Sequence, residues 1–134
     1  MDIPTNDTDL CYLPAVAQRR LLREKAISAR DLLGAHLRRI EAVNPAINAI
    51  VTLDADGAMA QAQAADDALV RGEPTGPLHG LVVAHKDLVN TAGMRTTFGS
   101  PLFRNNVPSS DAAIVVRMRE AGAAADAVGS VMRA

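Results

Sequence analysis

A single cysteine, Cys11, stands in the whole sequence. No intrachain disulfide can form, and nothing else calls for an oxidising compartment. An excess of charge of either sign is equally lacking: 14 basic and 15 acidic residues intermingle to a net charge of -1. That balance provides no basic face for nucleic acid and no polybasic anchor for a membrane, so neither is expected as a partner. Long apolar runs are missing too. No uncharged stretch reaches the roughly eighteen residues of a membrane-spanning helix. The start, MDIPTNDTDL, carries aspartates where an export signal needs a basic start and an apolar run. These absences predict a soluble, cytoplasmic chain. His, Cys and carboxylate residues do not recur at ligand spacing, so neither a metal nor an organic cofactor is implied.

What is present suffices for one small domain, and a complete domain of 134 residues would bury roughly two-thirds of its unfolded surface. Met1 to Thr8 is polar and reads as frayed. A first helix follows from about Pro14 to Lys25, because proline fits a first helical turn where its missing amide hydrogen costs nothing. Ser28 and Asp31 have the spacing of a capping box, and Leu33, Leu37 and Ile40 then fall on one stripe of a helix predicted to end near Asn44 and Pro45. His36, within a turn of Leu33 and Leu37, reads as structural or solvated and receives no catalytic role. Asn48 to Leu53 is rich in β-branched residues and predicts a short strand. Ala55, Ala58, Ala62, Ala65 and Leu69 then mark a helix packed closely through small side chains, with Gln61, Gln63 and Asp66 solvated and Gly72 as its stop.

Chemistry concentrates between Gly76 and Ser100, GPLHGLVVAHKDLVNTAGMRTTFGS. Leu81 to Ala84 is short, apolar and valine-rich, and is entered from a Gly-Pro turn, which predicts a buried strand with Lys86 at its carboxyl end. Ligands of open α/β sheets bind just beyond such ends. A Lys-Asp pair there is more often only a solvated strand end. Because successive strand side chains alternate between faces, His85 and Lys86 are not expected to share a pocket. The loop from Asn90 to Asn106, rich in Gly, Thr, Ser and Asn, is suited to lining a pocket with hydroxyls and backbone amides. Ser100 lacks the Gly-x-Ser-x-Gly setting of a nucleophile elbow, and the glycines do not form a phosphate loop.

The stretch resembles the lysine-bearing segment of the amidase signature family. The resemblance is carried by Gly76-Pro77-Leu78-His79-Gly80, the strand into Lys86-Asp87, Ala92-Gly93-Met94, Thr96-Thr97 and Gly99-Ser100. It extends back through Ile40-Glu41-Ala42-Val43-Asn44-Pro45 and Asn48-Ala49, and forward to about Gly122. It implies an α/β fold: amino-terminal helices plus the first strands of an α/β/α sandwich with a mixed sheet, here incomplete. It also implies hydrolysis of a carboxamide C–N bond through an acyl-serine, in a Ser–cis-Ser–Lys relay of which Lys86 is the base. The substrate would be a small-molecule amide. Thr96, Thr97, Gly99 and Ser100 would build the wall of the site. A lysine acting so must be able to lose its proton, which burial or a neighbouring cation favours, and the apolar Val82, Val83 and Ala84 lead to the expectation that Lys86 is desolvated.

Further on, Ser110 reads as an N-cap with Asp111 in the first turn, and Ile114, Met118 and Ala121 as the buried side of a helix that stops at Gly122. The family pattern then calls for another strand and a serine-bearing Gly-Ser-rich segment, whereas Ala123 to Ala134 reads AAADAVGSVMRA. The expected division is therefore 1–122, the amino-terminal part of an amidase domain, and 123–134, a divergent tail of a truncated or frameshifted product. The strands near Asn48 and Leu81 should then lack neighbours, and their unpaired edges should favour self-association. Three other readings stand beside the amidase: the amidase subunit of a glutamine-dependent tRNA amidotransferase, a non-catalytic fragment, and, more distantly, a lysine Schiff-base enzyme.

Overall fold

The computed structural model describes residues 4–128. Its elements are α1 (Asp7–Tyr12), α2 (Ala15–Arg23), α3 (Ala29–Ile47), β1 (Thr52–Leu53), α4 (Ala55–Val70), β2 (Val82–His85), a 3₁₀ turn (Pro101–Phe103), α5 (Ala113–Glu120) and β3 (Ala124–Val128). The frayed start is corrected from Asp7 onward. The Asn6 side chain accepts the Asp9 N–H at 2.9 Å and caps α1, which buries Leu10. Residues 1–3 lie outside the described part.

The capping box forms as read: the Ser28 hydroxyl accepts the Asp31 N–H, and the Asp31 carboxylate accepts the Ser28 N–H, both at 3.0 Å. α3 runs on through Pro45 to Ile47, past its expected end. Proline so near the last turn forfeits little, and the helix stops instead at Asn48, whose φ of 49° is left-handed. β1 is shorter than expected. The Asn44 side chain takes both the N–H and the C=O of Ile50, at 2.8 and 2.9 Å, and so withdraws that residue from a ladder.

The core joins Leu21 and Leu22 of α2, Leu32, Leu33 and Ala35 of α3, Ala58 and Ala62 of α4, and Leu81 before β2. The alanine stripe thus does the close packing expected of it. Asp66, read as solvated, instead turns toward the start of α3, where its carboxylate accepts the Ala29 N–H at 2.6 Å and pairs with Arg30 at 3.0 Å. A carboxylate at a helix N-terminus meets free N–H groups and the positive end of the helix dipole.

Three strands form a mixed sheet in the order β1-β3-β2, with β3 antiparallel to β1 and parallel to β2. The α/β reading with a mixed sheet holds. The expectation that the strands near Asn48 and Leu81 lack neighbours is corrected, because both pair with β3, in the segment where the sequence offered no strand. Small residues give AAADAV no strand pattern of its own, yet the buried backbone of β2 requires a partner. The rest of the tail, 129–134, lies outside the described residues.

The Gly76–Gly80 loop is pinned to the end of α5. Leu78 and Gly80 donate their N–H groups to Ala121 O at 2.8 Å and Gly122 O at 3.0 Å. A Cβ at Gly76 would sit 2.2 Å from Ala121 O, so only glycine allows this approach. α5 itself starts later than expected, with Ala112 at its N-cap. Val115, fully buried, takes the inner position, while Ile114 is 52% exposed. No helix among the described residues is long and apolar enough to cross a membrane.

Candidate functional site

Lys86 follows β2 directly, and alternation along the strand governs what surrounds it. His85 and Asp87 point into the protein, 5% and 4% exposed, while Ala84 and Lys86 are exposed on the other side. The separation of His85 from Lys86 is therefore as expected. The desolvation of Lys86 is not: its ammonium group is exposed and has no partner among the described residues. The physical reason is that no described element covers the strand face that carries Ala84 and Lys86.

Asp87 organises the loop beyond. Its carboxylate accepts the Thr97 N–H at 2.7 Å and also the Thr97 hydroxyl, and its backbone C=O accepts the Phe98 N–H at 2.9 Å. A charged acceptor makes such bonds short and strong. Phe98 is held at φ 53°, an uncommon conformation for a residue with a side chain, and its ring meets Phe103 edge to face at 5.2 Å.

The remaining residues singled out by sequence gather around this knot. Thr96 is fully buried; its hydroxyl donates to Met94 O at 3.2 Å, its N–H donates to Asn106 O at 3.0 Å, and its C=O accepts from the Asn106 side chain at 2.9 Å. Gly99, exposed at φ 68°, directs its N–H to the Thr97 hydroxyl at 3.3 Å. Ser100 donates its N–H to Thr97 O at 2.9 Å, and its hydroxyl accepts the Leu102 N–H at 3.3 Å, capping the 3₁₀ turn. Gly99 and Ser100 are thus brought together on Thr97, with Lys86 one residue from the carboxylate that holds Thr97.

Sequence reasoning missed Asp111 in this role. Read as a first-turn helix residue, it instead accepts the Ala92 N–H at 2.7 Å and pairs with Arg119 of α5, while Ala112 donates its N–H to Asn90 O at 2.8 Å. Asp111 therefore draws the two ends of the Asn90–Asp111 loop together, and Asp87 holds its interior at Thr97. The Asp-to-Arg spacing of eight residues is too common a pattern to have pointed to this contact. Among the described residues no group of three or more His, Cys, Asp or Glu side chains converges as a metal would require.

The model of the amidase family matches residues 31–127. The chain belongs to the amidase family. Among similar proteins, a glutamyl-tRNA(Gln) amidotransferase subunit of Granulibacter bethesdensis is 49% identical over 116 residues, which is 87% of this chain and 22% of the relative. Its counterpart in Acidothermus cellulolyticus is 42% identical over 115 residues, 86% of this chain and 23% of the relative. Among solved structures, native peptide amidase from Stenotrophomonas maltophilia superimposes with a TM-score of 0.78 at 30% identity, covering 96% of this chain and 25% of that one. This amidase-family chain thus spans about a quarter of the length of the relatives it matches.

Proposed function

We propose that this chain carries the lysine-bearing part of an amidase site, in which a carboxamide C–N bond is hydrolysed in the cytoplasm through an acyl-serine and Lys86 is the general base. The observation that carries the reading is the position of Lys86 directly after β2, on the open face of the strand, with Asp87 tied to Thr97 on the other side. In the relay implied by the family resemblance, the Lys86 amine accepts a proton from a bridging serine. That serine in turn accepts the proton of the nucleophilic serine as it attacks the amide carbonyl. By the resemblance, both serines lie downstream of β3. A layer of protein laid over Ala84 and Lys86 would withdraw the amine from water, and burial favours the neutral form of a lysine. In this reading Thr96, Thr97, Gly99 and Ser100 support the wall of the site from the Asp87 side of the strand, with Thr96 fully buried behind the others. Ser100 has its hydroxyl engaged at the 3₁₀ turn, which supports a structural assignment over a nucleophilic one.

A second reading, the amidase subunit of a glutamine-dependent tRNA amidotransferase, is favoured by the names of the curated relatives. Glutamine consumption that requires a partner protein distinguishes it from a free-standing amidase acting on small amides.

The isolated chain is expected to hydrolyse no simple amide above background, because a base without a nucleophile has nothing to deliver to the carbonyl. Joining the downstream part of the Granulibacter bethesdensis relative after Val128 is expected to restore turnover that depends on Lys86. Lys86→Ala removes the base, and Lys86→Arg keeps the charge but cannot release its proton. Each variant should lose about 10²-fold or more in kcat/KM. A Lys86→Arg rate within about tenfold of the parent, about 1.4 kcal/mol of barrier, overturns the general-base role.

A further inference from the structure

Asp56-Gly57 is the one place in the sequence where Gly follows Asp or Asn. Such a link is open to attack by its own backbone, because glycine has no Cβ to hinder the approach of its nitrogen to the neighbouring carboxyl and leaves the chain free to turn. The pair lies in the first turn of α4, with Asp56 exposed to water. Gly57 is held there. Its N–H donates to Asp54 Oδ1 at 2.9 Å, and Ala58 donates its N–H to Asp54 O at 3.0 Å, so one residue caps the helix with side chain and main chain together. A Cβ at Gly57 would lie 2.1 Å from Asp54 Oδ2. The missing side chain that makes the link reactive is thus also what lets the Asp54 carboxylate rest against it.

We propose that Asp56-Gly57 is a site of spontaneous isoaspartate formation and that the Asp54 cap is its gate. In the reaction the Gly57 nitrogen attacks Asp56 Cγ, its hydrogen leaves with the carboxyl hydroxyl as water, and a five-membered succinimide closes. One water then opens the ring. Opening at the side-chain carbonyl of Asp56 restores aspartate, whereas opening at its main-chain carbonyl leaves Gly57 joined through Cγ, which is the isoaspartate link. Water is the only co-reactant. Closure requires the nitrogen to give up the hydrogen that Asp54 holds and the Asp56 ψ to leave its helical value, so it proceeds only while the first turn of α4 is open. The lesion acts beyond that turn. It adds a methylene to the main chain just ahead of Ala58, which with Ala62 is buried in the core, and so displaces the alanine stripe from the place that β1 and the helix start set for it.

Incubation of the full 134-residue chain in heavy-oxygen water at neutral pH tests the gate. Each passage through the ring leaves one solvent oxygen at position 56; mass spectrometry of the peptide that carries it counts the label, and chromatography separates the isoaspartate form. The folded parent is expected to take up label at Asp56 at least about tenfold more slowly than the same chain in urea. Asp54→Ala should speed uptake in the folded chain about fivefold, the added opening that loss of a cap implies, while Asp54→Ser, which keeps a capping oxygen, should stay within about twofold of the parent. Ser28→Ala removes the cap of α3 instead and controls for a general loss of stability, so it should also stay within about twofold. Equal uptake in the folded and the urea-unfolded parent, an Asp54→Ala rate equal to the parent's, or a Ser28→Ala rate equal to that of Asp54→Ala each overturns the gate. Label accumulating at other aspartates ahead of Asp56 overturns the site. Should Asp54→Ala fail to fold, the parent with and without urea, together with Asp54→Ser, still decides. Amide hydrolysis plays no part in this readout, so the outcome is independent of the role of Lys86.

Discussion

Asp87 is a buried carboxylate whose hydrogen bonds among the described residues run to one neighbour, Thr97, and to the backbone beside it. Asn at this position retains one acceptor oxygen and turns an NH₂ group toward a residue that offers donors. Asp87→Asn is therefore expected to destabilise the chain by about 1.5–3 kcal/mol, the range for a hydrogen bond to a charged group. Urea denaturation measures the loss, and amide exchange at Thr97 and Phe98 should accelerate while β2 stays protected. Unchanged exchange at those two amides counts against the knot. In the joined enzyme the same substitution should reduce turnover less than Lys86→Arg does, because Asp87 holds the loop and takes no proton. His36 makes a different residue-scale prediction. Burial holds its pKa below the ordinary 6.5, and its Nε2 is buried with no hydrogen-bond partner among the described residues. The unfolded chain thus binds the proton more readily than the folded one. Stability from this group is full above about pH 6.5 and falls as pH drops through the window between 6.5 and the lowered folded value. His36→Leu should flatten that part of the stability profile, and an NMR titration midpoint at or above 6.5 would contradict the assignment.

Among the elements, the Gly76–Gly80 loop decides how β2 enters the sheet, because it hangs from the last turn of α5 by two backbone hydrogen bonds. Gly76→Ala drives a methyl group against Ala121 O, a backbone atom that no rotamer change can move. The expected cost is about 1–3 kcal/mol, typical of overpacking, and thermal unfolding should show it. Gly72→Ala serves as the control for backbone strain alone, since that glycine has φ 71° but nothing within 4 Å of an added Cβ. Gly76 has no positive φ, so a Gly76→Ala variant as stable as the parent would mean that the close approach to α5 is relieved without cost. The helices were largely legible in sequence because caps and periodicity act over a few residues: Ser28 with Asp31, and Ala58 with Ala62, perform as their spacing indicates. α5 was misjudged because Asp111, a good first-turn residue in isolation, is engaged by Ala92 and Arg119.

For the whole molecule, the described sheet has β1 and β2 at its two edges, each with one side unpaired, and a strand face that leaves Lys86 in water. Exposed apolar side chains add to this surface, with Leu102 at 90% and Val107 at 55%. Open edges and apolar surface favour association. The 134-residue chain is accordingly expected to oligomerise as its concentration rises, which sedimentation or light scattering measures. A strict monomer with a sharp, concentration-independent unfolding transition would refute this. By itself, the sequence determined the α/β class, the caps, the alanine stripe and a lysine at the end of a short strand, since each depends on residues close together in the chain. The tertiary structure alone decided that 124–128 is the central strand, that Asp66 caps a helix start 37 residues before it, that Asp87 and Asp111 tie down the loop, and that Lys86 faces solvent. Those outcomes depend on which distant backbone groups and carboxylates meet when the core closes, and local pattern carries no record of such meetings.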